Sequence, residues 1–140
     1  MNKNWQQATQ QADLERVRSL LEEGAEIDAR DEHGQTALMN AAHAGQLELV
    51  RLLIEGGANL DVTAKYNLSA LMLALIGHHT DVARLLIEAG ADIHIWSSRS
   101  FRSITALSLA EEGGHEEIAV LLKRKGATGG DMLENNAHES

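Results

Sequence analysis

The chain has 140 residues, of which 44% are hydrophobic, and its formal net charge is −9 with no cysteine. This length and hydrophobic content suit one folded domain, while the missing cysteine excludes thiol catalysis, disulfides and cysteine-based zinc sites. The negative charge argues against general nucleic-acid binding, which needs clustered lysine and arginine to neutralise phosphates.

A Gly-Ala dipeptide recurs along the chain. The second and third copies each follow the preceding one by 33 residues, and the fourth follows by 36. A period of this length is typical of repeat architectures rather than of a single globular core. The sequence therefore predicts one domain over residues 1–127, built from about four units. These units cover residues 4–30, 31–63, 64–96 and 97–127.

The first unit has no preceding loop and begins at a predicted helix over residues 4–11, in which glutamines surround Trp5. The last unit places Glu111 and Glu112 where the internal units have small or apolar residues. Terminal repeats need polar outer surfaces to remain soluble. We therefore expect a complete small stack rather than a fragment.

The second unit has the pattern of two short helices. Thr36 is placed to cap the first helix, and Gly45 to end it by adopting a left-handed backbone conformation. Apolar residues at helical spacing continue from Leu47 to Ile54, and Gly57 follows them. Neither helix is long enough to be stable alone, so burial between stacked units must supply the stability.

The third unit repeats this pattern with one change at the turn between its helices. His78 aligns with Gly45, and Gly77 lies one residue early. Histidine tolerates a positive φ angle better than most residues other than glycine, so the turn is predicted to be rearranged. A ligand-binding role for His78 or His79 is the alternative interpretation.

The fourth unit contains the additional three residues, within 96–103. This segment holds Trp96, Arg99, Phe101 and Arg102 in a chain that is only 3% aromatic. Tryptophan, phenylalanine and arginine often anchor protein interfaces. The alternative, compatible with the first, is that Trp96 and Phe101 pack on each other within a long loop. Residues 128–140 have few core-forming residues and are predicted to be a flexible acidic tail.

Three tetrapeptides mark the starts of the first helices: Thr-Ala-Leu-Met at 36–39, Ser-Ala-Leu-Met at 69–72 and Thr-Ala-Leu-Ser at 105–108. Together with the 33-residue period, they resemble the Thr-Pro-Leu-His box of the ankyrin repeat, in a form more typical of bacterial members. The resemblance implies an all-α solenoid of stacked helix-turn-helix units joined by hairpin loops. Because the box histidine is missing, we expect looser coupling between neighbouring hairpins.

The resemblance also implies protein recognition without catalysis, through the hairpin tips and a concave face of the first helices. Leu68, Ile76 and Ile104 are expected to be exposed there, and charge along the tips is expected to change from acidic to basic. The predicted contact residues are Glu32, His33, Gln35 and His43 in the second unit, Lys65, Tyr66, Leu68 and Ile76 in the third, and Trp96, Arg99, Phe101, Arg102 and Ile104 around the fourth hairpin.

Three alternatives to this function remain. The first is a dedicated inhibitor or regulator of one enzyme. The second is a binder of a small molecule or metal ion through the turns that carry His43, His78 and His79. The third is a sequence without a natural partner, built or selected mainly to fold. No set of residues predicts catalysis, a cofactor or a metal centre. Residues 1–20 lack the apolar stretch of a secretory signal, and the longest apolar run, 70–76, is too short to span a membrane. We therefore expect a cytoplasmic monomer that binds another protein, with no nucleic acid or membrane as partner.

Overall fold

The computed structural model describes residues 1–99 and 102–127, apart from the Arg99 side chain. The helices are α1 (Lys3–Gln10), α2 (Leu14–Glu22), α3 (Ala37–Ala44), α4 (Leu47–Glu55), α5 (Ala70–Ile76), α6 (Thr80–Glu88), α7 (Ala106–Glu112) and α8 (Glu116–Arg124). A single 3-10 turn covers Lys65–Asn67, and two strands, β1 (Trp96–Arg99) and β2 (Arg102–Thr105), form an antiparallel pair.

The helices form two layers. The first helix of each pair contacts the first helix of the next, so that α1, α3, α5 and α7 form one layer. The second helices α2, α4, α6 and α8 contact one another in the same order and form the other layer. The predicted helical solenoid is confirmed, and the two short strands are its one departure from an all-α fold among the described residues.

Three of the first helices begin at a buried hydroxyl residue. Thr36, Ser69 and Thr105 accept a hydrogen bond from the backbone N–H three residues later, at 3.2, 3.4 and 3.1 Å. Such a cap satisfies one of the backbone donors that the first turn of a helix leaves unpaired. The caps predicted from the tetrapeptides are therefore confirmed.

The short connection between the two helices of each pair contains one residue in a left-handed conformation. The φ angles of Ala12, Gly45, His78 and Gly114 are 52°, 75°, 63° and 75°. This conformation reverses the chain within about three residues and lets each second helix pack on the first. The sequence alignment of His78 with Gly45 is confirmed, because both residues occupy this position.

Small residues in the first layer and branched residues in the second fill the core. Ala42, Ala74 and Ala110 are fully buried, as are Leu53 and Leu86. Alanine lets neighbouring helices approach closely, and burying a leucine contributes about 1.5–3 kcal/mol. Helices of seven to nine residues are thus stabilised by their neighbours rather than by their own propensity.

Neighbouring hairpins are joined by a hydrogen bond to an aspartate carboxylate, and this bond recurs from one repeat to the next. Asp28 Oδ1 accepts a hydrogen bond from the Asn59 N–H at 2.9 Å. One repeat later, Asp61 Oδ1 accepts a hydrogen bond from the Asp92 N–H at 2.7 Å. The hairpins are therefore bonded to each other although the box histidine is missing.

Gly45 and Gly114 are the left-handed residues between the helices of the second and fourth units. Alanine substitution at each separates the cost of backbone strain from the cost of overpacking. Gly45 and Gly114 have the same φ of 75°, but a Cβ on Gly45 would overlap the His79 ring, whereas nothing lies near Gly114. We predict that Gly114→Ala lowers the free energy of unfolding by about 1 kcal/mol, which is the cost of the left-handed conformation. Gly45→Ala should lower it by roughly 1–3 kcal/mol more through overpacking. Urea unfolding measures both changes, and equal losses would contradict the packing of His79 on Gly45.

Candidate partner-binding surface

A single carboxylate organises the hairpin tip of the second unit. Asp31 Oδ1 accepts hydrogen bonds from the backbone N–H groups of His33 and Gln35 at 2.8 and 3.0 Å. Its Oδ2 accepts one from Asn40 Nδ2 in α3 at 3.0 Å. The tip is thereby fixed on the first helix, and the side chains of Glu32 and His33 remain exposed.

These bonds also change the acidity of Asp31. Partial burial raises the pKa of its carboxyl group, but the hydrogen bonds from Asn40, Gln35 and His33 lower it by more. The net pKa lies below the ordinary value of 3.8. The tip is therefore held by a charged carboxylate at neutral pH.

The tip of the third unit is a strained turn. Tyr66 and Asn67 have φ angles of 65° and 61°, and the Tyr66 side chain is 48% exposed with Lys65 Nζ 5.1 Å from its ring centre. Asn67 Nδ2 donates a hydrogen bond to the Trp96 carbonyl at 2.8 Å, and the buried Ser97 hydroxyl donates one to the Tyr66 carbonyl. The tip of the third hairpin is thus bonded to the start of the fourth.

The longer fourth hairpin is a two-stranded ladder rather than an open loop. Trp96 lies opposite Thr105, and Arg99 opposite Arg102. The Trp96 side chain is 46% exposed. Phe101 and the Arg99 side chain lie outside the described residues, and with them the predicted packing of Trp96 on Phe101.

The expected change of charge along the tips is weakened at its basic end. Arg102, at the start of β2, forms an ion pair with Glu112 at the end of α7. Lys65 Nζ lies over the Tyr66 ring, 5.1 Å from its centre. The fourth hairpin therefore presents an arginine whose charge is partly neutralised.

The first helices contribute a second row of predicted residues. His43 and Ile76 occupy equivalent positions in α3 and α5, and both are exposed, Ile76 by 37%. The expectation that Leu68 and Ile104 are exposed is wrong, because both are half-buried. Leu68 packs against the core, and Ile104 lies opposite the fully buried Ser97, so its side chain shares the inner face of the ladder.

A polar groove adjoins the tip of the second unit. It has a volume of about 350 Å³, and its lining includes Gln6, Gln10, Asp31, His33 and Asn40. Of these residues, only His33 is among the contacts predicted from the sequence, because the glutamines of α1 have the pattern of a solvated end of the stack. Their spacing of one helical turn on a unit that packs beside α3 was the signal for a shared groove.

The described part of the chain has no three-residue metal site at the turns that carry the histidines. Across 1–99 and 102–127, no group of three or more His, Asp or Glu side chains is placed to hold a metal ion. His43, His78 and His79 therefore do not form a three-residue ligand set. In the same ranges, no helix has the length and apolar character needed to cross a membrane.

Comparison with known proteins identifies the repeated unit. A profile described as ankyrin repeats, three copies, matches residues 5–97. The chain belongs to the ankyrin-repeat family. Ankyrin repeats are protein-interaction modules.

This ankyrin-repeat chain is also similar to a chain in a solved complex. The complex is the Bd0816 predatory endopeptidase from Bdellovibrio bacteriovorus with immunity protein Bd3460. The TM-score is 0.79 and the identity is 31%, over 89% of this chain and 64% of that chain. Comparison with curated proteins finds no match.

Asp31→Ala tests whether its carboxylate holds the tip. Because the folded-state pKa of Asp31 is depressed, its contribution to stability is present above the unfolded-state pKa, and it disappears as pH falls through the folded-state pKa. We predict that the variant is less stable by roughly 1–2 kcal/mol at pH 7, and that this difference shrinks below about pH 4. Urea unfolding from pH 7 to pH 3 measures the difference, and a value that stays constant would contradict the role of the charge.

Proposed function

We propose that this ankyrin-repeat chain is a non-catalytic inhibitor of the immunity type, which binds an endopeptidase and blocks it. The observation that carries this proposal is the 31% identity, over 89% of this chain, to a chain of the endopeptidase–immunity protein complex. The chain covers 64% of the length of that chain, so the partner class is inferred from part of the similar protein.

The exposed aromatic residues support binding at the hairpin tips. Tyr66 and Trp96 expose 48% and 46% of their surface on two hairpins that hydrogen bonds join. Aromatic residues that are fixed in place but open to water are frequent anchors of protein interfaces, because a partner gains their burial without ordering them first. Ile76 is a further exposed apolar residue, and it lies at the end of α5 in the layer of first helices.

We place the binding surface on the hairpin tips and first helices of one domain spanning residues 1–127, with the four units and the tail as predicted above. Polar and charged residues at its edge would orient the partner. The proposed contact residues are Glu32, His33, Gln35, His43, Lys65, Tyr66, Ile76, Trp96, Arg99, Phe101 and Arg102.

The hydroxyl groups of two serines near the fourth hairpin support a role without catalysis. Ser97 donates its hydroxyl hydrogen to the Tyr66 carbonyl, and Ser108 completes the capping box of α7 with Thr105. Both side chains therefore serve the backbone rather than a nucleophilic role. A cytoplasmic location and a monomeric state remain predictions from the sequence.

A capture experiment with matched variants tests the proposal. The immobilised chain should retain an endopeptidase from a lysate of its source cells, and adding excess chain should abolish the activity of that enzyme. The Tyr66→Ala, Trp96→Ala double variant should bind at least about 30-fold more weakly, because two interface anchors are lost. Val120→Ala is the control, since Val120 is also 48% exposed but lies on α8. Circular dichroism would verify that both variants fold.

Two outcomes would contradict different parts of the proposal. A captured partner without endopeptidase activity, or one that remains active when bound, would refute the inhibitor role. Equal binding by the double variant and the Val120 control would refute the location of the surface. Binding that both variants lose would also refute it.

A further inference from the structure

Two histidines from neighbouring units meet outside the proposed binding surface. His78 Nδ1 and His115 Nε2 are 3.0 Å apart, and their ring centres are separated by 5.1 Å with the planes inclined by 63°. His78 is exposed and His115 is half-buried. At this distance one ring donates a hydrogen bond and the other accepts it.

The repeat explains why this pair occurs at one interface. In the third and fourth units, the residue just before the second helix points back to the left-handed turn of the preceding unit. His79 packs its ring on Gly45 there, whereas His115 meets the ring of His78, which occupies the position equivalent to Gly45. The backbone on both sides of the pair is fixed by capping hydrogen bonds of the turns.

We propose that His78 and His115 form a two-histidine site for a divalent transition-metal ion. Imidazole nitrogens bind such ions at about 2.0–2.1 Å, so donors 3.0 Å apart subtend an angle of about 95° at the metal. This angle suits adjacent positions of the tetragonal geometry that Ni²⁺ and Cu²⁺ prefer. The remaining positions would be filled by water, since no third protein ligand is placed there within the described residues.

To bind the ion, one of the two imidazole rings must change its tautomer. Neither neutral ring has to lose a proton. The ion needs the lone pairs of His78 Nδ1 and His115 Nε2, so each neutral ring must carry its hydrogen on the other nitrogen. The hydrogen bond between the rings is broken, and both lone pairs tilt toward the ion. Because His78 is exposed, its unshared nitrogen can donate this hydrogen to water.

The surroundings of His115 favour a cation. An adjoining surface cavity of about 510 Å³ has Asp81, Glu116 and Glu117 among its lining residues. Arg84 also lines it but pairs with Glu117 at 3.1 Å. The net charge of these four side chains is negative, which raises the local concentration of a hydrated cation.

Titration with Ni²⁺ by isothermal calorimetry at pH 7.5 tests the site. His78→Gly and His115→Gln introduce residues that the chain uses at the equivalent positions Gly45 and Gln46, so both variants should fold. Each single variant should bind Ni²⁺ at least about 10-fold more weakly than the wild type. The double variant should have the same Ni²⁺ affinity as either single variant, because removing one of two cooperating ligands already destroys the chelate. His79→Gln is the matched control and should bind as the wild type does.

The pattern across the variants decides the result. One ion per chain, lost in both single variants and kept in the His79 control, would support the chelate. Unchanged binding in either single variant would overturn it, as would losses that add in the double variant, because these indicate independent single-histidine sites. Equal loss in the His79 control would also overturn it.

Discussion

The structure depends on contacts between units, because each described helix has only seven to nine residues and is too short to be stable in isolation. Alanines such as Ala42, Ala74 and Ala110 bring the first helices close together, and leucines such as Leu53 and Leu86 fill the space between the layers. The left-handed residue in each turn places the second helix on the first. Stability is therefore a property of the stack rather than of any one unit.

This division of roles leaves the hairpin tips available for recognition. The core and the caps use buried residues, whereas Glu32, Tyr66 and Trp96 extend from hairpins that are held at their bases. Hydrogen bonds to the Asp31 carboxylate and from the Asn67 amide reduce the freedom of the tips before any partner arrives. Binding then loses less conformational entropy, and the aromatic side chains contribute more of their burial to affinity.

Features that depend on nearby residues were predictable from the sequence, and features that depend on distant pairing were not. Thr36 and Ser69 cap helices, and His78 adopts the left-handed conformation, because a few neighbouring residues determine each of them. The pairing of residues 96–99 with 102–105, the inward position of Ile104 and the contact of His78 with His115 all depend on packing between strands or between units. Sequence spacing alone does not reveal which side of such a contact is buried.

The most direct measurement of the binding surface is hydrogen–deuterium exchange of the chain with and without its captured partner. We expect slower exchange in residues 31–35, 65–68 and 96–99, where the tips lie, and unchanged exchange in α4, α6 and α8 of the second layer. Protection confined to the second-layer helices, with unchanged exchange at the tips, would contradict recognition through the hairpins.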